Sequence, residues 1–139
     1  MKSFLNPLLR ASTVDHLLEN ATTGEVVARH LLTAFDSKER RQGLLGRESL
    51  PEGTAIIIAP SNAVHTFLMR FAIDIAFVAR DGRVIKVRSS VPPWRIAAAL
   101  RAFAVIELAA GSLERLRTGA GDTLICRAAN TSADRSIVS

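Results

Sequence analysis

The sequence predicts a mainly β fold, an antiparallel sandwich or barrel with two or so short helices. Three observations predict it. Short apolar runs recur along the chain, several alternating apolar and polar residues with the period of two that a half-buried strand needs. Clusters of Gly, Pro, Asn and Asp punctuate them. The clearest pair of runs, on either side of Asp81-Gly82, has no helix between its members, whereas parallel strands need a crossover.

The elements follow in order. Residues 1–24 show no firm period and read as an N-terminal extension, in which His16–Glu19 suits a helical turn or a short strand. After the turn ending at Gly24, residues 25–34 read as one long strand with a wet face at Arg29, His30 and Thr33. Asp36, with Glu39 three residues on, forms the sequence pattern of a helix start. That helix runs from Ser37 to about Leu45 and stops at Gly46. Ala55–Ala59 is wholly apolar, as expected of a strand buried on both faces. Val64–Met69 alternates, and so does Ile73–Ala79. Asp81-Gly82 predicts a type I′ hairpin returning through Val84–Arg88. Pro92 and Pro93 lack the N–H a central strand needs, so Val91–Trp94 is a crossing loop. Residues 95–103 favour helix by their alanine content, or a loop. Val105–Leu108 is a strand, Leu113–Arg117 a short helix after Gly111-Ser112, and Thr123–Arg127 the last strand. Residues 25–127 thus make one β-rich domain, and 128–139 a flexible tail of small, polar residues.

Composition narrows the function classes. Eighteen basic residues against 13 acidic ones give +5, a charge that suits a soluble domain and also attracts anionic partners. The single cysteine, Cys126, excludes an intramolecular disulfide and reads as a buried, reduced thiol. The N-terminal apolar stretch is broken by Asn6 and Pro7 and stops at Arg10, too short for a signal peptide, and no run approaches the ~20 residues of a membrane span. A cytoplasmic protein without a membrane partner is expected. His16, His30 and His65 are too widely spaced for a local metal motif, no Gly-x-Ser-x-Gly elbow occurs, and Gly119 and Gly121 precede a strand, whereas a dinucleotide loop leads into a helix. No catalytic, metal-binding or cofactor-binding residue is therefore assigned, and no cofactor is expected.

Arg40–Arg47, and His65–Arg70 followed by Ile73–Ile75, resemble the opening motif and the central signature of domain-of-unknown-function family 192. Asp81–Val84 resembles its hairpin, Val105–Glu107 with Gly111 its late strand-to-helix motif, and Gly121-Asp122 its closing turn. The resemblance spans about residues 25–127. Many members carry Phe-Trp and then Met-Lys-Asn in the central signature, where this chain has Leu68 in the Trp position and Phe71 in a polar one. What the resemblance implies is a β-rich fold of sandwich or jelly-roll type, with no established activity.

Two candidate surfaces remain. His65, Met69, Arg70, Asp74 and Trp94 form a candidate rim for a ligand or protein partner. Arg70 and Asp74 would pair across a corner, and Trp94 would plug a sheet end or mark a binding edge. Arg40, Arg41, Arg47, Arg83, Lys86 and Arg88 form a candidate stripe for an anionic partner, with Arg95 and Arg101 beyond it. A small non-enzymatic binding or accessory domain is the expected function. The alternative is a nucleic-acid-associated or transcription-regulatory protein using the stripe, against which stands an aromatic content of only 5%.

Overall fold

The computed structural model describes residues 3–9, 15–42, 48–67 and 69–129. The fold is mainly β, with ten strands and three short helices among the described residues. The helices are α1 (Asn6–Leu9), α2 (Ser37–Gln42) and α3 (Ser112–Arg115). A three-stranded sheet holds β1 (His16–Asn20) between β10 (Leu124–Ala128) and β2 (Val26–Ala28). A five-stranded sheet follows the order β3 (His30–Ala34), β4 (Thr54–Ile58), β9 (Ala104–Ala109), β6 (Ile73–Val78), β7 (Val84–Val91). A third pair, β5 (Ala63–His65) with β8 (Ile96–Ala98), forms a small flap. The pairing is antiparallel except between β3 and β4, which the chain joins through α2, the crossover that parallel neighbours require. The layers are sandwich-like, and the described strands do not close into a barrel.

The three central strands of the five-stranded sheet, β4, β9 and β6, are buried on both faces, which explains their near-continuous apolar runs. One face (Ala55, Ile57, Ala76, Val78, Ala104, Ile106, Leu108) packs on the three-stranded sheet through Leu18, Val27, Leu124 and Cys126, with Phe4 and Leu5 completing that core. The other face (Ile56, Ile58, Ile73, Ile75, Phe77, Val105) is covered by Leu50, Met69 and the flap residue Ala97. The odd–even split within each strand is the pleat at work. Burial pushes the Cys126 thiol up to about 12, so it stays protonated and inert.

Several expected elements differ. The long strand at residues 25–34 is broken at Arg29, because the N–H groups of Arg29 and His30 both donate to the Gly53 carbonyl (2.9 and 3.0 Å). The chain there leaves one sheet for the other. The strand from Val64 ends at His65, and the ambiguous 95–103 segment contributes β8, whose Ile96, Ala97 and Ala98 face His65, Val64 and Ala63. Tertiary pairing overrides the helical preference of alanine there. The Asp81-Gly82 turn is not type I′, since only Gly82 has positive φ (94°). The Ala79 N–H bonds the Arg83 carbonyl around a three-residue loop, and Asp81 Oδ1 accepts the Arg83 N–H. Gly82 packs against the Leu124 carbonyl where a Cβ has no room. Helix α2 has the expected reciprocal cap: the Glu39 N–H donates to Asp36 Oδ1 (2.7 Å) while Glu39 Oε1 accepts from the Asp36 N–H (3.3 Å). Its predicted continuation to Leu45 and Gly46, like the tail beyond Ala129, lies outside the described residues.

Candidate ligand-binding rim on the flap

The flap lies over one face of the five-stranded sheet, and one buried hydroxyl ties its end together. Thr66 is 1% exposed. Its Oγ1 donates to the Pro92 carbonyl (2.7 Å) and accepts from the Arg95 N–H (2.9 Å). Its backbone N–H donates to the Arg95 carbonyl (2.8 Å), and its carbonyl accepts from Trp94 (3.0 Å). The loop that the two prolines begin is thus clamped to the strand before it. At the other side of the flap, Lys86 Nζ on β7 donates to the Ala98 carbonyl (2.9 Å).

The clamp presents aromatic rings outward. Trp94 is held at φ 67°, a left-handed conformation that a bulky side chain rarely adopts. Its side chain is 60% exposed and stacks on Phe67, with ring centroids 5.6 Å apart and planes 28° apart. Phe67 in turn lies 5.0 Å from the His65 ring, tilted 34°. His65 Nδ1 accepts the Phe67 N–H (3.3 Å). Ile96 (66% exposed) and Leu100 (89%) extend the apolar surface along the flap. Beyond it, Pro60, Ser61, Asn62, Arg80, Arg101, Ala102 and Phe103 line an open depression of about 500 Å³. The Arg80 guanidinium lies 4.1 Å over the Phe103 ring.

Of the five residues expected at the rim, His65 and Trp94 stand together there. Met69 is buried beneath it, 7% exposed, as part of the core. Arg70 is exposed but lies near Glu48 (3.9 Å), so the expected Arg70–Asp74 pair does not form. Asp74 is wholly buried on β6. Its Oδ1 accepts from the N–H groups of Ser90 (2.8 Å) and Gly111 (3.1 Å), and its Oδ2 from that of Leu113 (2.9 Å). It caps α3 from another strand, where Gly111 offers no side-chain cap.

The expected basic stripe is divided. Helix α2 with Arg40 follows β3 at one edge of the five-stranded sheet, while Lys86 and Arg88 sit on β7 at the opposite edge, with Arg83 in the turn before it. Four strand spacings of about 4.8 Å put roughly 19 Å between those edges. Arg40 is occupied locally by the Phe35 carbonyl (2.6 Å) and Ser37 Oγ (3.3 Å). Arg47 and the side chain of Arg41 lie outside the described residues.

Sequence reasoning missed Phe67 as the ring that joins His65 to Trp94, Thr66 as the clamp, and Glu107. Glu107 lies on β9, 4% exposed, facing the apolar layer under the flap, and its Oε2 has no hydrogen-bond partner among the described residues. Burial pushes its carboxyl up to about 7. Among the described residues no three His, Cys, Asp or Glu side chains gather as a metal site would require.

Two crystal structures share this fold. A Sinorhizobium meliloti 1021 protein named a "putative transcription regulator" aligns with a TM-score of 0.68 at 23% identity, over 84% of this chain and 93% of that one. A Novosphingobium aromaticivorans DSM 12444 protein of unknown function aligns with a TM-score of 0.66 at 25% identity, over 78% of this chain and 81% of that one. A comparison with curated proteins finds no match. The family model of DUF192, described as uncharacterized ACR, matches residues 18–126. This chain therefore belongs to the uncharacterised DUF192 family.

Proposed function

We propose that this chain is a small non-enzymatic binding module whose contact surface is the outer face of the β5–β8 flap. One observation carries the reading: Phe67 and Trp94 are stacked on each other yet exposed, with Trp94 held in a strained backbone conformation by the Thr66 clamp. Strain of about 1–3 kcal/mol at such a residue persists only where surrounding contacts impose it, and it clusters at binding sites. Aromatic rings presented rigidly have little freedom to lose when a partner arrives. Cytoplasmic residence belongs to the same proposal; no helix among the described residues is long and apolar enough to cross a membrane. The name of the Sinorhizobium meliloti protein points toward regulation of transcription, but at 23% identity that likeness carries the fold alone.

Trp94 is the chain's one tryptophan, so its fluorescence reports this surface without labelling. Acrylamide quenching of the full chain is measured alone and with a proline-rich peptide, a polyglutamate peptide and a single-stranded oligonucleotide. The reading expects one of these to shield Trp94 at micromolar concentration. Unchanged quenching with all three overturns it.

A further inference from the structure

The charge around the flap narrows the class of partner. Between Pro60 and Ile106 the chain has seven Arg and Lys residues and two acids, a net +5 equal to that of the whole protein. One of those acids, Asp74, is wholly buried and bonded to backbone N–H groups, and it forms no ion pair with the surface cations among the described residues. The other, Asp81, lies in the β6–β7 turn. Arg95 directly follows Trp94, Arg101 directly follows Leu100, and Arg88 lies on β7 two residues beyond the lysine that pins the flap. All three are exposed, and none has a carboxylate partner among the described residues. Among the described residues the Arg95 guanidinium bonds only the Pro93 and Trp94 carbonyls (3.4 Å each).

We infer that the flap binds single-stranded nucleic acid, a conclusion that rests on the binding reading above and names its ligand. Unpaired bases stack on the exposed Phe67–Trp94 face, with His65 behind it. The phosphates follow Arg95 and Arg88 toward Arg101 and the open depression beside Arg80. Stacking suits any base because each has a π face, and the cations supply attraction independent of sequence. A duplex keeps its bases inside, so it offers this surface only phosphates. An acidic peptide satisfies the arginines but leaves the rings without planar partners. The 5% aromatic content is no obstacle once three of the few rings, counting histidine, stand together on the surface.

The test titrates the full chain with a twelve-nucleotide thymidine strand, with the duplex of the same length and with heparin, reading Trp94 emission at 50 and 200 mM salt. The single strand is expected to quench Trp94 and bind at least tenfold more tightly than the duplex. With about three phosphates neutralised, that rise in salt weakens binding about twentyfold. Phe67→Ala weakens it about tenfold, and Arg95→Ala several-fold, with circular dichroism verifying that both variants fold. Equal response to heparin together with no effect of Phe67→Ala overturns the inference, because the surface then reads charge alone, while the binding reading survives. Shielding by a peptide with no response to the single strand also overturns the inference and leaves that reading. Silence from every probe removes both.

Discussion

Asp74 and Glu107 are buried acids on neighbouring strands, one step out of register, since Asp74 faces Leu108 and Ile75 faces Glu107. The pleat sends them to opposite sides of the sheet. Asp74 meets three backbone N–H groups, and Glu107 meets none at Oε2 among the described residues. Their mutations should therefore behave differently. Asp74→Ala strands three donors, each bonded until then to a charged acceptor, and is expected to cost at least about 3 kcal/mol by urea denaturation. Asp74→Asn keeps the volume but turns an NH2 group toward a backbone N–H, and is expected to cost about 2 kcal/mol. For Glu107, the folded state holds its proton up to about pH 7, while the unfolded carboxyl loses it near 4.5. The native state thus binds the extra proton between those values, and stability falls as pH rises through that window. The loss is at most about 3 kcal/mol and is complete above pH 7. Urea midpoints at pH 5 and pH 8 measure it. Glu107→Gln, which cannot ionise, should flatten the fall; an unchanged difference between the two midpoints would mean that other groups cause it.

At the scale of elements, the flap is the least self-sufficient part of the fold. Each of its strands has three residues, and most of its outer face is exposed. Its order comes from the Thr66 clamp, the Lys86 pin and the burial of Ala97. Thr66→Val keeps the shape and removes the hydroxyl, leaving the Arg95 N–H and the Pro92 carbonyl each short of a partner. Hydrogen exchange at the Trp94 and Arg95 amides should then quicken at least tenfold, while global stability falls by about 1–2 kcal/mol. Equal loosening of the core strands would show that the clamp serves the whole fold. The flap is also where the sequence was least legible. The runs at β4, β6 and β9 carry their periods openly, because these central strands are buried on both faces and need apolar residues throughout. Ala97 and Ala98 carry no strand signal; pairing with β5 makes them extended. The His65–Trp94 neighbourhood was readable from a histidine in a patterned segment and a tryptophan after two prolines. The structural duty of Asp74 was not, since its backbone partners lie 16 to 39 residues away and any residue type supplies an N–H.

At the scale of the molecule, two features decide how the layers hold together. The chain changes sheets at Arg29, and hydrogen bonds between Gly82–Val84 and Asp122–Leu124 stitch the opposite corner (2.7 Å from the Val84 N–H to the Asp122 carbonyl, 2.8 Å from the Leu124 N–H to the Gly82 carbonyl). The N-terminal segment sits at that stitched corner. The Phe4 N–H donates to the Arg80 carbonyl (2.9 Å), its Cβ lies close to Gly82, and Phe4 and Leu5 are buried in the core between the two sheets. Residues with no periodic signature of their own thus help to close the sandwich, and an amphipathic pattern cannot reveal two apolar side chains acting as a plug. Burying a leucine and a phenylalanine contributes roughly 2–3 kcal/mol each. Deleting residues 1–9 is therefore expected to lower the unfolding free energy by about 4 kcal/mol, and Leu5→Ala alone by about 2–4 kcal/mol, both measured by chemical denaturation. An appended extension would leave the midpoint where it stands, since nothing in the core would lose a neighbour. A drop from Leu5→Ala nearly as large as that from the deletion would place the plug in that one side chain, with Phe4 serving mainly to shield the turn at Gly82.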